Sequence, residues 1–160
     1  MTDTVIKHLL DQNNGNFAVD EFLEHRDKLE RPVIEEIAQF RNWTGWPTQI
    51  TSAWRHSGSH STGFALDILM WKEWKKQPTP MEMWRRITHW PWLGVGIYFD
   101  WNDGIGFHVD VIRTERPRPK RWIRLGGRYY YQSPKTGIFF AENGQNITLM
   151  DTIRKHGHRS

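Results

Sequence analysis

The chain contains no cysteine. Disulfides, thiolate zinc ribbons and cysteine nucleophiles are excluded together, and any bound metal has to be held by His, Asp or Glu. Long apolar runs are absent as well: no stretch approaches the roughly eighteen apolar residues of a membrane span. The N-terminal stretch MTDTVIKHLLDQNNG lacks the basic start and extended apolar run of a secretory signal, so synthesis in the cytoplasm is the expectation. No internal repeat and no low-complexity tract is visible. What is present is 160 residues, 38% of them hydrophobic, enough for one core and too apolar for a disordered chain. Ten tryptophans stand out. Rings of that size are costly to expose and belong to a core or a stacking surface. Lys and Arg outnumber Asp and Glu by 22 to 18, a mild excess that suits an anionic partner without selecting one. The excess concentrates in Arg113, Arg116, Arg118, Lys120, Arg121, Arg124 and Arg128, set against Glu115 alone.

Residues 1–15 end in the polar run Asp11-Gln12-Asn13-Asn14-Gly15 and read as a loosely ordered segment. Order is expected from Asn16-Phe17 onward, with a short helix capped by Asp20. A second helix starts near Pro32; its Val33, Ile34, Ile37 and Phe40 recur at helical spacing, and Gly45 stands where it would stop. Thr48 to Trp54 reads as a strand, Arg55 to Thr62 as a loop, and Phe64 to Met70 as a central strand. Thr79-Pro80-Met81-Glu82 is a capping box opening a helix that carries Met81, Trp84 and Ile87. Leu93 to Phe99 and Ile105 to Val111 form an antiparallel pair through the turn Asp100 to Gly104. A hairpin of Arg128–Gln132 and Gly137–Ala141, with Tyr129, Tyr131, Ile138 and Phe140 as its apolar faces, leads to a terminal helix. The pattern is α+β: a small, mainly antiparallel sheet with the N-terminal helices packed on one face.

Asp67 is the informative residue. A carboxylate inside an apolar strand is expensive unless its charge is matched. An arginine or backbone N–H groups would match it. So would a metal, because His60 lies seven residues earlier in a Gly/Ser-rich loop and His108 sits in another strand. Two His and one Asp from separate segments make a three-ligand set with one open position, the way hydrolytic zinc is held. Zinc lowers the pKa of the water in that position and polarises the carbonyl to be attacked. His8, His25 and His89 have no motif around them, His56 reads as an edge residue, and His156 and His158 belong to a basic tail. Trp71, Trp74, Trp84, Trp90 and Trp92 cluster around one helix and read as core.

Around these residues the sequence resembles a known family. Thr51-Ser52-Ala53-Trp54-Arg55, then His60-Ser61-Thr62-Gly63-Phe64-Ala65-Leu66-Asp67, resembles the S-G-Y-R and S-x-H-x-x-G-x-A-x-D signature of the M15 zinc peptidases, the D-alanyl-D-alanine carboxypeptidases and murein endopeptidases. Gly94-Val95-Gly96-Ile97-Tyr98 and Gly106-Phe107-His108-Val109-Asp110-Val111 look like their G-V-G-x-Y and F-V-H-x-D segments. Asn16 to Phe22 is similar to the N-F-S-x-x-E-F opening of that domain, and Arg121-Trp122 to the basic-Trp element that closes it. The resemblance runs from residue 16 to 122 and implies a hedgehog/DD-peptidase-like fold, with residues 123–160 as a C-terminal hairpin and helix extension packed on the core. It implies one Zn²⁺ per chain, held by His60, Asp67 and His108. It sets Arg55 beside the metal, to hold substrate or stabilise an oxyanion. Two positions depart from the pattern: Gly58 replaces the signature's first Ser, and Ile105 stands where several branches carry an acidic catalytic residue. A general base would then come from Asp110, on the same strand face as His108, from Asp103 in the adjoining turn, or more remotely from Asp100. Asp110 could instead orient a ligand histidine.

The expectation is a zinc metallopeptidase, a D,D-carboxypeptidase or murein endopeptidase, that hydrolyses peptidoglycan stem peptides. It would be monomeric, with no nucleic-acid partner and no membrane span. If it is an endolysin of phage type, it would reach the cell wall after release by a holin. A non-catalytic zinc module on the same scaffold, binding the wall or a partner, is the alternative. A third is a basic nucleic-acid-binding protein using the arginine-rich stretch and Tyr129-Tyr130-Tyr131 for phosphate contact and stacking.

Overall fold

Leu66, Ile68 and Met70 alternate with Ala65, Asp67 and Leu69 along one strand, and all six are buried. That pattern marks a strand covered on both faces and flanked on both edges. The computed structural model, which describes residues 1–13, 16–73, 76–112 and 119–157, places it second in an eight-stranded sheet. The strands are β1 (Thr48–Ser52), β2 (Ala65–Met70), β3 (Gly94–Tyr98), β4 (Gly106–Asp110), β5 (Lys120–Leu125), β6 (Arg128–Gln132), β7 (Phe139–Phe140) and β8 (Asn146–Ile147). Their order is β1-β2-β4-β3-β5-β6-β7-β8, antiparallel throughout except that β5 runs parallel to β3. The helices are α1 (Asp3–Gln12), α2 (Arg31–Thr44), α3 (Pro80–His89) and α4 (Leu149–His156). The fold is α+β, as the sequence pattern implies.

Strand alternation gives the sheet two unlike faces. On one, Ile50, Leu66, Ile68, Met70, Val95, Ile97, Phe107, Val109, Ile123, Tyr130 and Phe139 join the core, with Ile6, Leu9 and Leu10 of α1, Val33, Ile34, Ile37 and Phe40 of α2, and Met83, Trp84 and Ile87 of α3. On the other lie Asp67, His108, Asp110, Tyr98, Trp122, Arg124, Tyr129 and Tyr131. Asp67, His108 and Asp110 thus lie on the face away from the N-terminal helices. α2 starts with Pro32 in its first turn and ends at Gly45 in the left-handed region. α3 opens with the expected Thr79/Glu82 capping box.

Four expectations are corrected. Residues 1–15 are not loosely ordered over Asp3–Gln12: Thr2 caps a helix whose Ile6, Leu9 and Leu10 are buried at i, i+3 and i+4. The polar run at its end hid that short stripe. The boundary after residue 122 falls inside β5, which pairs with β3 along its whole length, so the C-terminal segment continues the same sheet. Within that segment the faces are shifted by one residue. Tyr130 and Phe139 are buried, while Tyr129, Tyr131 and Phe140 point outward. The hairpin pairs Tyr131 with Phe140, and a one-residue shift in a strand exchanges the inner and outer sets. In place of a helix after Asp20 there are two single 3₁₀ turns, Val19–Phe22 and Arg26–Lys28, separated by Leu23 and His25 at positive φ. Residues 113–118 of the basic stretch, Trp74 and His158 lie outside the described residues.

Candidate metal centre

His60, Asp67 and His108 converge. His60 closes against β2 from a 3₁₀ turn, Gly58–Thr62, and all three side chains are buried. Gly63 ends this turn in the left-handed region, and a Cβ there would lie 2.3 Å from the Lys28 carbonyl oxygen. Only glycine therefore lets the chain turn from His60 into β2. Asp67 and His108 are direct partners across the β2–β4 ladder. A bulge in β1 between Ile50 and Ser52 sets Ser52 opposite Asp67, and the Thr51 hydroxyl donates to the Asp67 backbone carbonyl.

Asp67 Oδ1 stands 3.1 Å from His60 Nε2 and 2.9 Å from His108 Nδ1, and those two nitrogens are 3.2 Å apart. These three residues are the group of His and acidic side chains that could hold a metal ion among the described residues. Their second atoms are already engaged. His60 Nδ1–H donates to the Ala53 carbonyl, which leaves the Nε2 lone pair facing Asp67. His108 Nε2 meets the Ser59 hydroxyl at 3.2 Å and Asp110 Oδ2 at 3.6 Å. Ligand histidines are commonly held this way, with the non-ligating nitrogen tied to a carbonyl, hydroxyl or carboxylate. Two nitrogens, one oxygen and no thiolate form a donor set that fits zinc and also non-haem iron.

The electrostatics point the same way. Burial alone would raise the Asp67 pKa, but the adjoining His108 and His60 imidazoles hold its carboxyl well below the usual carboxylate range. Burial would likewise lower His108, and the Asp110 and Asp67 carboxylates instead raise it. Arg55 Nη1 lies 3.3 Å from Asp67 Oδ2 with its side chain half exposed. The Tyr98 hydroxyl approaches Asp67 Oδ1 at 3.5 Å, and burial pushes its pKa upward.

The remaining predicted residues separate. Arg55 is at the site. Asp110 is adjacent to it but on the Nε2 side of the His108 ring, behind the nitrogen that faces Asp67. Asp103 is exposed in the turn and lines a cavity of about 1070 Å³ with Thr51, Leu69, Trp71, Trp101 and Ile105; none of the three candidate ligands lines that cavity. Asp100 accepts the Gly127 N–H and faces Arg124 at 3.6 Å. Ile105 is buried in the core cluster, its backbone N–H and carbonyl both bonded to the Gln77 side-chain amide. Trp84 and Trp92 are core; Trp90 is part-buried and donates to Glu36.

Ser59 and Gln77 were missed, and single polar residues in loops give no sequence signal of their partners. Trp122 carries more than its motif suggests. Its ring packs 4.9 Å from His108, over Gly96, where a Cβ would lie 2.3 Å from the indole. Its indole N–H is buried without a hydrogen-bond partner among the described residues. Comparison with family models, curated proteins and solved structures finds no match to this chain.

Proposed function

We propose that the chain is a zinc-dependent peptidase that hydrolyses peptide bonds in peptidoglycan stem peptides, on a hedgehog/DD-peptidase-like fold. The observation that carries this is the buried convergence of His60 Nε2, Asp67 Oδ1 and His108 Nδ1, each atom within 3.2 Å of the other two. The M15 resemblance of the segments that supply them adds the substrate class. Zinc held there would supply a water of lowered pKa and Lewis-acid polarisation of the scissile carbonyl. The chain's own residues then have distinct tasks. Ala53 and Ser59 fix the two imidazoles. Asp110 holds the far nitrogen of His108 and keeps its ligand nitrogen basic. Arg55, half exposed above Asp67, binds a substrate carboxylate or carbonyl oxygen.

The position of Asp110 and the burial of Ile105 favour a second reading, a zinc module that binds the wall without hydrolysis. Neither residue offers a base on the open side of the triad. Incubating the zinc-loaded protein with purified peptidoglycan and assaying new free amino groups decides between them. Release that disappears in His108→Ala supports the peptidase. A zinc-loaded wild type that releases none supports the binding module.

A further inference from the structure

Tyr129 and Tyr131 are 41% and 40% exposed on the face of the sheet that carries the metal centre. Their planes are nearly parallel, 16° apart, with centroids separated by 6.4 Å. Tyr130 between them supplies the strand's core contact, so the two outer rings are not needed for packing. Beside them lies a cavity of about 380 Å³ lined by Gly127, Arg128, Tyr129, Tyr131, Glu142 and Asn143, among others. We propose that this surface binds a neutral glycan strand.

The polar groups around it carry both signs of charge and both donate and accept. Arg124, over Tyr98 and Tyr129, faces Asp100. Arg128 donates to Gln145 Oε1 at 2.6 Å. Lys120 lies over Tyr131, 4.7 Å from the ring centre. Glu142 adds a negative charge to the lining. Phosphate oxygens accept hydrogen bonds only and would be repelled by Glu142. Sugar hydroxyls and acetamido groups both donate and accept, matching Glu142, Asn143 and Arg128, while an apolar sugar face covers a tyrosine ring.

Position links this surface to the metal. Tyr131 on β6 is three strand spacings from His108 on β4, roughly 14 Å. Four or five extended residues cover about that distance. A glycan seated on the tyrosines would thus let a short attached peptide reach His60, Asp67 and His108. This last step rests on the peptidoglycan reading of the site.

Cosedimentation of the full zinc-loaded chain with chitin, an insoluble and uncharged N-acetylated glycan, tests the surface without any turnover. Wild type is expected to sediment with the glycan. Tyr129→Ala/Tyr131→Ala should weaken retention about tenfold or more, with zinc content and circular dichroism unchanged, and Tyr129→Phe/Tyr131→Phe should restore it. Equal retention of the alanine variant, or no retention of wild type, overturns the proposal. So does salt-sensitive binding to single-stranded RNA that the alanine pair abolishes while glycan retention persists. Glycan retention in a protein that releases no amino groups from intact peptidoglycan would leave this surface standing and remove the peptidase reading.

Discussion

At the scale of single residues, Asp67 and His108 behave as a coupled pair whose charges depend on what occupies the space between them. In the metal-free protein the folded-state pKa of His108 is raised by Asp110 and Asp67 against the effect of burial. A raised pKa contributes stability that is fully present below the unfolded value, about 6.5, and is lost as pH rises through the folded value. Metal binding has the opposite dependence, because it needs the deprotonated imidazole. Chelator-treated protein should therefore lose thermal stability as pH rises above about 6.5, while zinc-loaded protein gains relative to it. A Tm of the metal-free protein that rises over that range would contradict the pairing. Asp110 gives a second expectation. It stands behind His108, so Asp110→Asn should weaken zinc binding about 10- to 100-fold in a chelator competition. Unchanged zinc affinity with lost turnover would instead make Asp110 the base. The convergence of His60, Asp67 and His108 was legible in the sequence, because a carboxylate within an apolar strand demands a partner. The base was not, because strand alternation gives the face of a side chain and not which side of a neighbouring ring it reaches.

At the scale of elements, the helices with sharp punctuation were legible: Pro32 and Gly45 bracket α2, and Thr79 with Glu82 starts α3. α1 was obscured because only Ile6, Leu9 and Leu10 signal it, next to a polar tail. β5 was obscured by its own charge. Lys120, Arg121 and Arg124 alternate with or flank Trp122 and Ile123, and a parallel pairing to β3 leaves no local turn signal. The consequence is testable. A chain ending at Trp122 cuts β5 in the middle, removes Ile123 from the core and strips β6, β7, β8 and α4 from the sheet edge. The exposed edge and the lost core should leave it insoluble or without a cooperative thermal transition. A soluble truncated protein with the full-length Tm would show that residues 123–160 are an independent appendage.

At the scale of the whole molecule, the sheet divides the protein into a helix-covered face that holds it together and an open face that carries its chemistry. The candidate metal centre, Arg55, Trp122 and the two outer tyrosines share that open face, and although the sequence grouped Arg55 with His60, Asp67 and His108, it could not bring the tyrosines alongside them, because β3 and β5 interpose between β4 and β6 in space. No helix of the described residues is long and apolar enough to cross a membrane. The peptidase reading of this face depends on a metal held at one place. Elemental analysis of protein purified without chelator measures that directly. The expected result is one zinc per chain in the wild type and loss of bound zinc in His60→Ala and His108→Ala, with both variants still folded. Wild-type protein without zinc after loading, or zinc stoichiometry unchanged in either variant, would contradict it.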